Sequence, residues 1–184
     1  MLFVISAPSG AGKTTIVRRI LENNPELVFS VSATSRPKRS GEVEGEDYFF
    51  MTKEEFEDRI DDDDLVEYEK LFNDHYYGTL KTFVDDVILK GKDLIFDIDV
   101  KGALSLKNIY GDKSVLIFIK PPSKDVLRER LTNRGTEPND HIEERLKRIE
   151  LEMEKGKEFD YRVVNDDLET AVNEVEEIIH KFKK

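Results

Sequence analysis

The chain has no cysteine and no tryptophan among its 184 residues. Without thiols it forms no disulfide, no thiolate zinc site and no cysteine nucleophile. It also lacks any apolar run near the roughly 20 residues that cross a bilayer, and Met1 leads straight into the first apolar stretch with no basic leader before it. A soluble cytoplasmic protein with no membrane partner is expected. Basic residues are in deficit, 29 Lys and Arg against 40 Asp and Glu for a net charge of −11. Binding to nucleic acid needs a basic face that replaces phosphate counterions, so no such partner is expected. Any anion site must concentrate its few cations locally. The three histidines, His75, His141 and His180, show no metal-ligand or triad spacing.

What the chain does contain is most specific at its start. Leu2 to Ser6 reads as a buried strand, Ala7-Pro8-Ser9-Gly10-Ala11-Gly12 as a glycine-rich turn, and Lys13-Thr14-Thr15 as the opening of a helix. This is the layout of a phosphate-binding loop. Its backbone N–H groups and the helix N-terminus meet a chain of phosphates, Lys13 adds a mobile charge for the β and γ phosphates, and Thr14 offers a hydroxyl to Mg²⁺. Ala7 stands where the pattern has its first glycine, which requires that this residue keep a negative φ. A consumer of ATP or GTP is the first expectation.

Leu94 to Val100 and Val115 to Ile119 are further apolar runs suited to strands buried on both faces, and each lies beside a helical stretch. A parallel α/β sheet follows. Leu168, Ala171, Val172, Val175, Ile178, Ile179 and Phe182 recur at helical spacing after the capping run Asn165-Asp166-Asp167 and predict a core-covering helix. Two regions break the pattern. Ser32 to about Lys81 is rich in Gly, Tyr, Arg and Glu, with alternation at Asp47-Tyr48-Phe49-Phe50, and reads as an inserted subdomain. Ser123 to Arg148 gathers Arg128, Arg130, Arg134, Arg145 and Arg148 around Gly135 and reads as a flap. The acidic run Asp61 to Asp64 reads as a solvated turn.

Three groupings carry chemistry. Arg36 and Arg39 lie three apart around Pro37 with hydroxyls nearby, either a second phosphate site or a solvent-facing basic turn. Asp97 and Asp99 are two apart, on one face of an expected strand that ends at a ligand crevice, where Asp97 is placed to orient Mg²⁺ or its waters. Glu67, Tyr76, Tyr77 and Thr79 bring a carboxylate, two phenols and a hydroxyl into the insert. A carboxylate accepts from the N1–H and 2-amino donors of guanine, whereas adenine offers an acceptor at N1, so an acidic reader favours guanine.

With these residues in place the chain resembles the guanylate kinases over essentially its whole length. The resemblance rests on Ala7 to Thr14, on Ser30 to Gly41 continuing through Gly45-Glu46-Asp47-Tyr48, on Tyr76 to Thr79, Asp97 to Asp99, Arg134 to Glu137, and Val164 to Asp167. It implies a P-loop nucleoside monophosphate kinase fold, with core segments at residues 1–32, 82–122 and 149–184, a mixed α/β GMP-binding insert at 33–81 and a helical lid at 123–148. It implies ATP and GMP as substrates, with dGMP as a further acceptor and Mg²⁺ as cofactor, held by Thr14 and, through water, Asp97. By resemblance, Arg36, Arg39, Tyr48 and Tyr77 hold the GMP phosphate, and Ser32, Glu67, Thr79 and Asp99 read guanine. Lys13, Arg36, Arg130, Arg134 and Arg145 act on the transferring group. The ATP site runs from Ala7 to Thr15, with Asn165 near the adenine. The spacing from Glu67 to Tyr77 is one residue longer than the family pattern. Two other readings stand beside this one: a non-catalytic interaction module that binds phosphopeptides, and a P-loop kinase for another phosphorylated acceptor. Oligomeric state stays open between monomer and homodimer.

Overall fold

The structure is a computed structural model that describes residues 1–70, 74–123, 126–127 and 142–183, with the backbone alone for 142–148. Arg130 and Arg134, and the side chain of Arg145, therefore lie outside the described residues.

Five strands form the main sheet: β1 (Leu2–Ser6), β2 (Val28–Phe29), β7 (Leu94–Asp97), β8 (Ser114–Lys120) and β9 (Tyr161–Val164), in the order β2-β7-β1-β8-β9. Every pairing in it is parallel. Parallel strands need crossovers, and helices α1 (Lys13–Asn23), α3 (Lys81–Leu89), α4 (Val100–Tyr110) and α5 (Ile142–Lys155) lie between them in the chain, while α6 (Leu168–Phe182) follows β9. The period of two sorts β1 between two cores. Phe3 and Ile5 pack with Ile16, Val17 and Ile20 of α1 and Val172, Val175 and Ile179 of α6. Leu2 and Val4 pack with Val84 and Val87 of α3 and Val100, Ala103 and Leu106 of α4. Burial on both faces is why β1 reads as an unbroken apolar run. No helix among the described residues is long and apolar enough to cross a membrane.

A second sheet lies within the inserted region: β3 (Ala33–Thr34), β4 (Phe49–Phe50), β5 (Leu65–Lys70) and β6 (Tyr76–Leu80), in the order β4-β3-β6-β5. It is mixed, with β3 and β4 parallel and β6 antiparallel to both β3 and β5. Helix α2 (Lys53–Asp61) starts on a capping box in which Thr52 and Glu55 satisfy each other's backbone N–H. Its Phe56 lies in a small core with Ala33 and Leu65 and stacks on Tyr76, ring centroids 5.2 Å apart. β5 is the seam between the two cores. Alternation sends Leu65 into the small core and its neighbour Val66 into the main one, and a bulge between Leu65 and Glu67 leaves Val66 as the extra residue of the pairing.

Two expectations change. The apolar run from Leu94 is a strand only to Asp97; Val100 already opens α4, and Asp99 caps it by accepting the Gly102 N–H at 2.7 Å. An Asp before a helix gains an orphan backbone donor that a strand would not give it. Asp97 and Asp99 therefore do not share one strand face. The alternation at Asp47 to Phe50 yields only the two-residue strand β4. The acidic run is a turn in which Asp63 takes a positive φ of 56°, with Asp63 paired to Lys81 and Asp64 to Arg59.

Candidate functional site

The turn after β1 does what its glycines allow. Gly10 and Gly12 have φ of 88° and 93°, while among the described residues the only non-glycines at positive φ are Asp63 and Asp74. Ala7 therefore keeps the negative φ it needs. Gly12 is the N-cap of α1, and its conformation is one a side chain would strain. Space is also closed there, because a Cβ on Gly12 would lie 2.3 Å from Asn165 Nδ2.

Lys13 reaches back over the ends of the central strands. Its Nζ lies 2.6 Å from Asp97 Oδ1 and donates to the Ile98 carbonyl at 2.9 Å. The parallel register sets Asp97 beside Ile5 of β1, so loop, lysine and carboxylate meet at the carboxyl ends of adjacent strands, where open α/β sheets bind ligands. Thr14 and Thr15 are exposed on the first turn of α1. Asn165, immediately after β9, donates through Nδ2 to the Ala11 carbonyl at 2.7 Å.

The second cation is built into the small sheet's margin. Arg36 is only 7% exposed, with its guanidinium over the rings of both Tyr48 and Phe50, 5.3 and 5.6 Å from their centroids. Glu42 clamps it: Nη1 donates to Oε2 at 3.0 Å and Nη2 to Oε1 at 2.7 Å, and Nη1 also donates to the Pro37 carbonyl. The pair raises the Arg36 pKa, Glu42 being the largest cause and Tyr77 a further one, and lowers that of Glu42. Glu42 Oε2 accepts the Arg39 N–H as well, at 2.7 Å, which closes the turn on itself. Tyr48 and Tyr77 meet edge to face at 6.0 Å. Arg36, Tyr48 and Tyr77 thus converge, while the Arg39 side chain is exposed on the same turn. Glu42 was not singled out by sequence reasoning; it stands three residues after the second arginine, beyond Gly41, whose φ is 90°.

A third functional side chain is Glu67, on β5 of the small sheet. The bulge sets it directly opposite Thr79, whose buried hydroxyl donates to Glu67 Oε1 at 2.7 Å. Gly102 of α4 makes room for it, since a Cβ there would meet Glu67 Cγ at 3.0 Å and Oε2 at 3.3 Å. Nothing in the sequence marked Gly102. Burial pushes the Glu67 carboxyl up to about 7; the Thr79 hydrogen bond opposes this, the charges of Asp99 and Glu69 add to it, and Lys13 acts the other way. Asp99 and Lys13, from the main sheet's end, therefore act on a side chain of the small sheet. Ser32 sits half-buried just before β3, with its carbonyl accepting from Phe49. At the hairpin after β5, where the family spacing is exceeded, Asp74 takes a φ of 63° and its carboxylate pairs with both Lys53 and Lys70. Those two lysines hold its pKa down at about 2.

The chain as a whole has known relatives. A family model described as guanylate kinase matches residues 1–182. A guanylate kinase of Salinibacter ruber is 50% identical over 181 residues, 98% of this chain and 96% of that protein. One from Bacteroides thetaiotaomicron is 48% identical over 98% of this chain and 89% of its own length. The crystal structure of guanylate kinase from Anaplasma phagocytophilum superposes with a TM-score of 0.74 at 31% identity, covering 100% of this chain and 87% of that one.

Proposed function

From the premise that this chain belongs to the guanylate kinase family, we infer that it transfers the γ-phosphoryl group of ATP to the phosphate of GMP, giving GDP and ADP. The observation that carries this reading is the position of Glu67, packed on α4 and within the fields of both Asp99 and Lys13. A guanine reader there sets a bound GMP between Arg36 and the phosphate loop.

The roles follow from the chemistry. The acceptor is an oxygen of GMP's own phosphate, already anionic, so no general base is needed and the protein acts by positioning and by offsetting charge. ATP's phosphates lie along Ser9 to Thr15, with Lys13 on the β and γ phosphates. Arg36, Arg39, Tyr48 and Tyr77 hold the GMP phosphate; Ser32, Glu67, Thr79 and Asp99 read the base. Arg130, Arg134 and Arg145 act as lid arginines on the transferring group. With dGMP as a further acceptor, the same contacts serve, since none of them is assigned to the sugar.

The residues present also fit Mg²⁺. Among the described residues no cluster of three or more His, Cys, Asp or Glu could hold a metal alone, which suits an ion that takes its ligands mostly from phosphate and water. The Thr14 hydroxyl, and Asp97 through water, would hold it. Bound there, it would supply positive charge that offsets the charge of the phosphates.

The direct test is a coupled assay with Mg·ATP and a panel of GMP, AMP, CMP and UMP, in which GMP alone turns over rapidly. Folded protein that binds ATP yet makes no GDP would leave the interaction module standing, and turnover with a non-guanine acceptor would favour the third reading. Within this scheme Glu42→Gln should raise the KM for GMP about tenfold with the KM for ATP unchanged. Losing a charge-assisted bond frees Arg36 from its fixed orientation. Steady-state kinetics with each substrate varied in turn reads this out, and a lowered KM would mean that Glu42 competes with the phosphate.

A further inference from the structure

Asn165 is 94% buried, at 6% exposure, and its neighbours fix it from both sides. Its backbone N–H donates to the Lys120 carbonyl at 2.9 Å, continuing the ladder of β8 and β9. Two residues on, Asp167 caps α6 by accepting the Thr170 N–H. Held in this way, the side chain delivers Nδ2 to the Ala11 carbonyl at 2.7 Å, across 154 positions of sequence. It fills the space beside Gly12 so closely that no Cβ fits there.

Peptide planarity gives that contact a consequence. The described chain has no cis peptide, so within the Ala11–Gly12 unit the carbonyl and the Gly12 N–H point in opposite directions. Fixing the carbonyl toward Asn165 fixes the N–H away from it. Ala11 is completely buried, and its own N–H is already spent on the Pro8 carbonyl at 3.0 Å. The Gly12 N–H, at the N-cap of α1, is thereby aimed with the first-turn N–H groups of Lys13, Thr14 and Thr15 as a donor for an anion at the helix start.

We propose that Asn165 is a positioning residue of the phosphate loop, locking the Ala11–Gly12 peptide so that the Gly12 N–H faces the polyphosphate. The proposal rests on the reading that this loop binds the ATP phosphates. It also accounts for the glycine at position 12 by a close approach that is independent of its positive φ.

Inorganic tripolyphosphate, which has no base, separates this role from one at the adenine. Binding of ATP, tripolyphosphate and GMP is measured calorimetrically for the wild type and for Asn165→Leu and Asn165→Ala, with a thermal melt of each. Leu keeps the volume without charge or donor; Ala serves where Leu disturbs folding. The expected result is a loss of about ten- to a hundredfold in affinity for both ATP and tripolyphosphate, by the same factor, with GMP affinity within twofold of wild type. A loss for ATP alone would assign Asn165 to the base and overturn the proposal. So would no loss at all, or an equal loss for GMP, which marks general damage. A wild type that binds neither ATP nor tripolyphosphate would remove the phosphate reading of the loop, and the proposal with it.

Discussion

Replacing Lys13 by Ala should lower kcat by about a thousandfold or more while changing GMP affinity less than tenfold. Lys13 is the first helical residue after the turn, and in the ligand-free structure its ammonium is already fixed by Asp97 and the Ile98 carbonyl. A charge held in place where negative charge develops needs no reorganisation during the reaction, and removing one such group typically costs two to three powers of ten. A second effect adds to this. The Asp97 side chain is 15% exposed, and without Lys13 its carboxylate stands unpaired close to where the triphosphate is proposed to lie. Rapid-quench turnover with Mg·ATP and GMP, beside calorimetry with GMP alone, separates chemistry from binding. A kcat within tenfold of wild type would remove Lys13 from the phosphate site. Asp97→Asn is the complementary change: it frees Lys13 but weakens the proposed hold on Mg²⁺, so the Mg²⁺ concentration for half-maximal rate should rise.

The loop, its lysine and the flanking strand were legible in the sequence because each has a local cause. Strands β1 and β8 are apolar except at their ends, glycines stand where positive φ is required, and α6 shows helical spacing behind a run of capping residues. What the sequence hid is set by contacts distant along the chain, or by competition between two local structures. Asp99 follows an apolar run that extends a strand as plausibly as it precedes a helix; its cap bond to Gly102 decided between them. The bulge at Val66 could not be read from Leu65-Val66-Glu67, because the extra residue shows only in the pairing with β6, which sets Leu65 opposite Leu80 and Glu67 opposite Thr79. Glu42 lacked any pattern of its own, since an acid in a polar turn is ordinary until Arg36 is seen folded onto it. The resemblance placed Asn165 beside a base, and only coordinates bring it against Ala11.

Glu67→Gln should weaken GMP binding by about ten- to a hundredfold at pH 8, and the deficit should shrink as pH falls through 7. The magnitude is that of a charge-assisted hydrogen bond made in a buried place. Its pH dependence follows from the raised carboxyl. Guanine presents donors at N1 and the 2-amino group, so it is the ionised Glu67 that binds, and with its carboxyl pushed up to about 7 the free protein must release a proton to bind below that pH. Wild-type affinity should then fall roughly tenfold per pH unit below 7 from this group. The GMP phosphate itself titrates near 6, but it does so for wild type and variant alike, so the ratio of their affinities isolates Glu67. Stability moves the opposite way. A carboxyl whose folded pKa lies above its unfolded value of 4.5 contributes stability that is complete below 4.5 and lost as pH rises through 7. Ligand-free wild type should therefore lose about 1–3 kcal/mol across that window relative to Glu67→Gln, and the variant should melt higher at pH 8 even as it binds GMP worse. Calorimetric titrations and thermal melts from pH 5 to 8 test both arms. A binding deficit that stays constant with pH, together with parallel melting curves, would show that Glu67 is already ionised in the free protein and that burial by α4 does not control its charge.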